Sequence, residues 1–277
     1  IGVPELLIYD SGRFNIYGLE NGKYIELEKS PALPEIDVRK IVPAIVERSW
    51  TVGSYQALEE LEPKVYSRWV VLYWMPYDND LMRFGEPIIR MLAEGTRKSD
   101  AIVAVQSDYY GDPRMRRRTL INGTIQELDV AGNDSSDSLA LTEYLDWAFQ
   151  TFDAEHWAVI IVGHGGRINE VSPDDRTSSQ KFRTWMRVDR FASEVSRLNQ
   201  LTNGKVELLF FQNCNKATLE VFYEAKNCAR CTLASQLLLG APNYYYEGFL
   251  ERLNEPSVRG REAAIAIMQS ERPEMYH

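Results

Sequence analysis

Four strand-like stretches are dominated by apolar residues: RWVVLYWM (residues 68–75), a continuous apolar run, then DAIVAVQSD (100–108), HWAVIIVGHGG (156–166) and VELLFFQNC (206–214). A strand that alternates apolar and polar positions has one face in water. A continuous run implies burial on both faces, as in the parallel sheets of α/β proteins. Between these runs lie stretches with helical spacing: NDLMRFGEPIIRMLAEG, SDSLALTEYLDWAFQTF and VDRFASEVSRLNQ. A fourth, NKATLEVFYEAKN, follows the last run at residues 215–227. Strands alternating with helices predict a mainly parallel sheet between two helical layers. Residues 116–128 break the alternation. RRTLI and TIQEL flank Asn122-Gly123, which predicts a hairpin with a tight type I′ turn.

The first 62 residues follow a different pattern. ELLIYD, RFNIYGLE and KYIELEK alternate, and Asn21-Gly22 separates the last two, so a β-hairpin is predicted there too. A helical pattern follows over residues 36–62, and Pro63 stops it. These residues form a small hairpin-plus-helix module, too short to hold much core of its own. The larger domain spans residues 67–277. Within it, residues 167–184 (RINEVSPDDRTSSQKFRT) are polar and show no period, and read as a long loop directly after the third strand. A loop of that length is usually functional or disordered.

The 277 residues are 44% hydrophobic and 26% charged, an ordinary balance for a globular protein. The formal net charge of -9 argues against general affinity for nucleic acid, which needs basic surface to displace counterions. No apolar run reaches the ~18 residues of a membrane helix. The opening residues, IGVPELLIYDSG, have neither the basic region nor the apolar core of a secretory leader. The expected location is therefore cytoplasmic, although a mature secreted chain would look the same. Cys228 and Cys231 have the spacing of half a zinc site, but no second pair accompanies them. They read as ordinary thiols, and no metal is expected from them.

Chemistry gathers at two strand ends. The third run leads to His164-Gly165-Gly166, and the fourth to Gln212-Asn213-Cys214. In a parallel sheet both ends lie on the carboxyl edge, where open α/β sheets place ligands. Free cysteine is mostly thiol at neutral pH and the thiolate is the nucleophile. A neighbouring imidazole can take its proton and later protonate the leaving group. The helical stretch 215–227 begins directly after Cys214, and a helix N-terminus favours the thiolate. The backbone N–H groups of Gly165 and Cys214 are candidates for an oxyanion hole.

At these residues the chain resembles the clostripain family of cysteine peptidases, which belongs with the caspases, gingipains, legumain and separase. The segments that carry the resemblance are Trp69 through Leu81 with its Asp78-Asn79-Asp80-Leu81, LTEYLDWAFQTFDAEHWAVIIVGHGG, VELLFFQNCNKATLEVFYEAKNCARCTLASQ and GAPNYYYEGFLERL. They stand in the family's order across about 200 residues. The resemblance implies a three-layer caspase-like core and an endopeptidase. Its implied chemistry has His164 as base, Cys214 as nucleophile and a thioester acyl-enzyme.

It also implies a substrate pocket beside Gln212, Asn213, Ser235 and Gln236. The family usually has Asp where Gln212 stands, and a neutral amide cannot pair with Arg or Lys as a carboxylate does. The expected P1 preference is therefore not simply basic. Family members are often cut internally, and Arg167, Arg176, Lys181 and Arg183 make residues 167–184 the expected place. Some members need calcium, but Asp78, Asp80, Asp174 and Asp175 are too generic to name as ligands. No other cofactor is expected.

Residues 1–62 resemble the C-terminal part of putative PD-(D/E)XK endonucleases without that family's catalytic motif, which implies a docking piece for a partner. The alternative to a working peptidase is a catalytically silent binding module on the same fold.

Overall fold

The computed structural model describes residues 4–10, 13–34, 37–53, 64–175 and 182–275. The chain divides into two compact units, Ile1–Pro63 and Lys64–His277.

In the first unit, β1 (Glu5–Asp10), β2 (Arg13–Glu20) and β3 (Lys23–Leu27) form an antiparallel meander. Asn21 and Gly22 have φ of 49° and 77°, the two left-handed residues a type I′ turn requires. Helix α1 (Val38–Val52) packs on β2. Arg39 fastens it by donating to Glu26 Oε1 at 2.7 Å and to the Leu27 carbonyl at 2.6 Å. The rest of the helical pattern expected up to residue 62 lies outside the described residues.

The second unit is built on a seven-stranded sheet. Its strands are β4 (Val65–Tyr77), β5 (Ile102–Tyr109), β6 (Arg116–Ile121), β7 (Thr124–Asp129), β8 (Phe152–Val162), β11 (Val206–Gln212) and β12 (Cys231–Ala234). The spatial order is β12-β11-β8-β4-β5-β6-β7. The first five of these run parallel, and the β6–β7 hairpin adds antiparallel to β5. The helices are α2 (Met82–Arg97), α3 (Ser138–Thr151), α4 (Val188–Leu201), α5 (Leu219–Ala225), α6 (Tyr246–Arg252) and α7 (Gly260–Ser270).

Along β4 the faces alternate. Trp69, Val71, Tyr73, Met75 and Tyr77 pack with α2, α6 and α7. Val70, Leu72 and Trp74 pack with α3, α4 and α5. Both faces are covered, which is why the run shows no polar positions. Burying each large side chain stabilises the fold by ~1.5–3 kcal/mol. The result is the mixed α/β, three-layer arrangement that the alternation of strands and helices implies.

Three local readings change. Residues 167–184 are not a bare loop: β9 (Glu170–Asp174) and β10 (Thr184–Arg187) pair antiparallel. Their apolar anchors, Val171 and Met186, are buried against the α3/α4/α5 layer. One anchor per short strand is too few to show a period. β12 adds a strand to the four that the pattern predicts; its four half-buried residues are too few to stand out in the sequence.

The helix after Cys214 starts late. Asn215 sits at φ 57°, a left-handed conformation that cannot continue into a helix. The helix begins only at Leu219, with Thr218 Oγ1 accepting from Val221 N at 3.3 Å. The N-terminal field expected to act on Cys214 is therefore displaced several residues along the chain.

Candidate active site

Strands β8 and β11 are neighbours, and Val162 pairs with Gln212. His164 and Cys214 each stand two residues beyond that pair, at the same edge of the sheet. The ladder extends one step past the strands, with Gly163 N donating to the Gln212 carbonyl at 3.3 Å. Asn213 then ties the two turns together. It is fully buried, and its Nδ2 donates to the carbonyls of Gly163 at 2.9 Å and His164 at 3.2 Å.

Gly165 closes the approach. A Cβ on it would stand 2.2 Å from the Cys214 carbonyl oxygen and 3.1 Å from the Cys214 nitrogen, both backbone atoms. No side chain fits between the two turns. Glycine here is required by contact and not by its dihedral freedom.

His164 has a partner the sequence reading passed over. Its Nε2 lies 2.8 Å from Asp80 Oδ1. Asp80 follows β4, whose neighbour in the sheet is β8. Buried Asn79 shapes the turn by donating from Nδ2 to the Pro76 carbonyl at 2.9 Å and accepting from Leu81 N at 3.1 Å. The hydrogen bond from His164, chiefly, holds the Asp80 carboxyl below its usual value. An ionised carboxylate only accepts, so Nε2–H is the donor in this contact. The only signal in the sequence was position: an aspartate beyond the end of the strand next to the histidine strand.

The Cys214 sulfur is half-buried: it accepts from Leu239 N at 3.4 Å, and its thiol donates to the Leu239 carbonyl at 3.7 Å. Residues 235–239 run beside the nucleophile turn. Asn215 N donates to the Leu237 carbonyl at 3.1 Å, and Ala217 N to that of Ser235 at 3.0 Å. Leu239 also lines a cleft of about 750 Å³ whose walls include Ser235, Gln236, Phe210, Phe222 and Leu233. Ser235 and Gln236 thus reach the cleft.

Gln212 and Asn213 do not line it. The Gln212 amide points inward, donating to Asn243 Oδ1 at 2.6 Å and the Tyr246 hydroxyl at 2.9 Å, and accepting from the Tyr245 hydroxyl at 2.6 Å. Asn243 and Tyr245 are themselves cleft residues, so Gln212 lies behind the wall and acts on the cleft through them.

A second polar cluster lies at the same edge of the sheet. Asp108 ends β5's run and Asp174 ends β9, and both accept from Ser135 N, at 3.1 Å and 3.0 Å. Burial raises both carboxyl pKa values, and the mutual repulsion of the two raises Asp108 further. The two carboxyls also hydrogen-bond each other. These oxygens are committed to each other and to a backbone donor. Among the described residues no group of three or more His, Cys, Asp or Glu side chains frames a metal ion. The remaining thiols, Cys228 and Cys231, are free. Burial pushes Cys228 up to about 12 and also raises Cys231.

The family model of the clostripain family matches residues 73–277. The chain belongs to the clostripain family. Three solved structures show the same fold. One is a secreted C11 cysteine protease from Bacteroides thetaiotaomicron in complex with an irreversible peptide inhibitor, with a TM-score of 0.60 and 18% identity. It is matched over 74% of this chain and 58% of its own. An inactive zymogen C11 protease from Parabacteroides distasonis gives 0.55 and 19%, over 74% of this chain and 57% of its own. A further structure of a secreted C11 cysteine protease from Bacteroides thetaiotaomicron, "iotapain", gives 0.57 and 15%, over 74% and 62%. No curated protein matches the chain at the sequence level.

The chain thus spans about three-fifths of the length of these cysteine proteases, on a core of caspase-like architecture. The clostripain-family match does not include the N-terminal unit. The secreted state of two of these relatives overturns the cytoplasmic expectation. That expectation rested on the opening residues, which say nothing about a leader removed before them. Among the described residues no helix is long and apolar enough to cross a membrane.

Proposed function

We propose that this clostripain-family chain is a cysteine endopeptidase in which His164 and Cys214 are the reacting pair. The observation that carries this reading is the register of β8 and β11, which brings the two residues to one edge, with Gly165 packed against the Cys214 backbone. Asp80 orients the imidazole so that Nδ1 takes the thiol proton. The thiolate attacks the scissile carbonyl, and the backbone N–H groups of Gly165 and Cys214 receive the oxyanion. The imidazolium then protonates the leaving amine, and water, deprotonated by the same imidazole, hydrolyses the thioester. A peptide or protein is the substrate, in keeping with the peptide inhibitor bound by one secreted relative.

The cleft beside Leu239 is the P1 pocket in this reading. Its walls are largely apolar, and Ser235, Gln236 and Asn243 offer neutral polar groups. Glu271, the charged residue of the wall, accepts from Tyr244 N at 2.8 Å. With Gln212 turned inward, the pocket suits a bulky uncharged side chain better than a simple Arg or Lys. Cleavage of a peptide library varied at P1 tests this. Preference for large uncharged residues is the expected result. A strict Arg or Lys preference overturns the pocket assignment and leaves the reacting pair standing.

A further inference from the structure

Lys216 is the one lysine among the described residues that is fully buried, 1% exposed. It stands two residues after Cys214, yet its Nζ donates to the Arg167 carbonyl at 2.6 Å. Arg167 lies three residues after His164. The side chain therefore crosses from the nucleophile turn to the histidine turn.

The receiving turn is tight. Arg167 N donates to Glu170 Oε2 at 2.8 Å. Gly166 sits at φ 57°, where a Cβ would meet Glu170 and the Trp185 ring at 2.8 Å. An ammonium buried against one carbonyl is costly unless an anion faces it. The charge of Glu170 on β9 pulls on it first, and the side chain of Cys214, two residues back in the chain, less strongly. Burial lowers the Lys216 pKa to about 8, against the pull of both.

We propose that Lys216 is a positioning residue of the thiol centre: its ammonium clamps the histidine turn to the nucleophile turn and holds a fixed positive charge toward the Cys214 thiolate. This rests on His164 and Cys214 being the reacting pair. Below about 8 the ammonium is charged and supports the thiolate. Above that the amine still donates to Arg167 but no longer contributes charge. Coupling between two charged sites is reciprocal, so each residue must report on the other.

Two measurements test it. In wild type and Cys214→Ser, the Lys216 ammonium is titrated by NMR on lysine-labelled protein. Removing the thiolate is expected to lower the Lys216 midpoint by about half a unit or more, the scale of a modest charge interaction. An unchanged or raised midpoint overturns the proposal. In Lys216→Met, which keeps the aliphatic volume, alkylation of Cys214 by iodoacetamide is followed by mass spectrometry of its peptide. The rate is expected to fall roughly 5–10-fold at pH 7 and to match wild type at about pH 9.5, where thiols are largely ionised in either protein. A deficit equal at both pH values, or none at pH 7, overturns it. Neither readout uses turnover. A wild-type protein that hydrolyses no peptide would sink the peptidase reading and leave both results interpretable.

Discussion

Gly165 lies so close to Cys214 that any side chain on it would collide with the Cys214 backbone, a Cβ standing 2.2 Å from the carbonyl oxygen. Neither partner can yield, because both turns are held from behind by Asn213. Gly165→Ala is therefore expected to separate the turns. The measurement is kcat/KM together with thermal melting. A loss of at least about 100-fold in kcat/KM is expected with a stability cost of ~1–3 kcal/mol, the usual range for overpacking. A variant with wild-type turnover would show that the turns do not need this contact.

Asn213 supplies two of the donors that join the turns. Asn213→Asp replaces them with a charged acceptor facing two carbonyl oxygens. Leaving buried acceptors unmatched costs ~1–3 kcal/mol, and a buried charge adds to it. Urea unfolding at neutral pH is expected to show a loss of about 3 kcal/mol or more. Loss below about 1 kcal/mol would mean that the carbonyls find other donors.

Asp80 orients His164 from a side chain that is 68% exposed. An exposed pair is screened and contributes little to stability, so its effect belongs to turnover. Asp80→Ala is expected to lower kcat roughly 10-fold with the melting temperature unchanged. Asp80→Asn, which keeps an acceptor for Nε2–H, is expected to retain most of the rate. Equal losses in the two variants would assign the effect to charge instead of orientation.

Asp108 makes stability depend on pH. Its carboxyl is raised in the folded chain by burial and by Asp174, whereas an unfolded Asp ionises near ~3.9. Between those limits the folded chain holds a proton that the unfolded chain has released. The contribution is full below the ordinary carboxylate range and is lost as pH rises toward the raised value. Thermal melts from pH 5 to 9 are expected to fall with rising pH, and Asp108→Asn is expected to flatten that slope. Parallel slopes in the two proteins would contradict the assignment.

How much of this was legible follows from what each residue answers to. β4, β5, β8 and β11 were readable because burial on both faces fills each with a run of consecutive apolar residues. His164 and Cys214 were readable because each ends such a run. Asn21-Gly22 and Asn122-Gly123 adopt left-handed pairs that few other residues accept. The Asp80–His164 contact was not legible, since it joins residues from two strands in an order only the sheet reveals. The inward turn of Gln212 depends on Asn243, Tyr245 and Tyr246, about thirty residues away in the chain. The delayed start of α5 depends on one backbone angle at Asn215, while its side chains kept helical spacing. The bridge from Lys216 to Arg167 was hidden for a similar reason: a lysine normally reads as surface.

The central claim is that Cys214 is the nucleophile. It is tested most directly by comparing wild type and Cys214→Ala in hydrolysis of a mixed peptide substrate and in labelling by an irreversible peptidyl thiol reagent. Wild type is expected to cleave and to be labelled at Cys214, burial having raised the Cys228 and Cys231 thiols, and Cys214→Ala is expected to do neither. Hydrolysis by Cys214→Ala at the wild-type rate would contradict it.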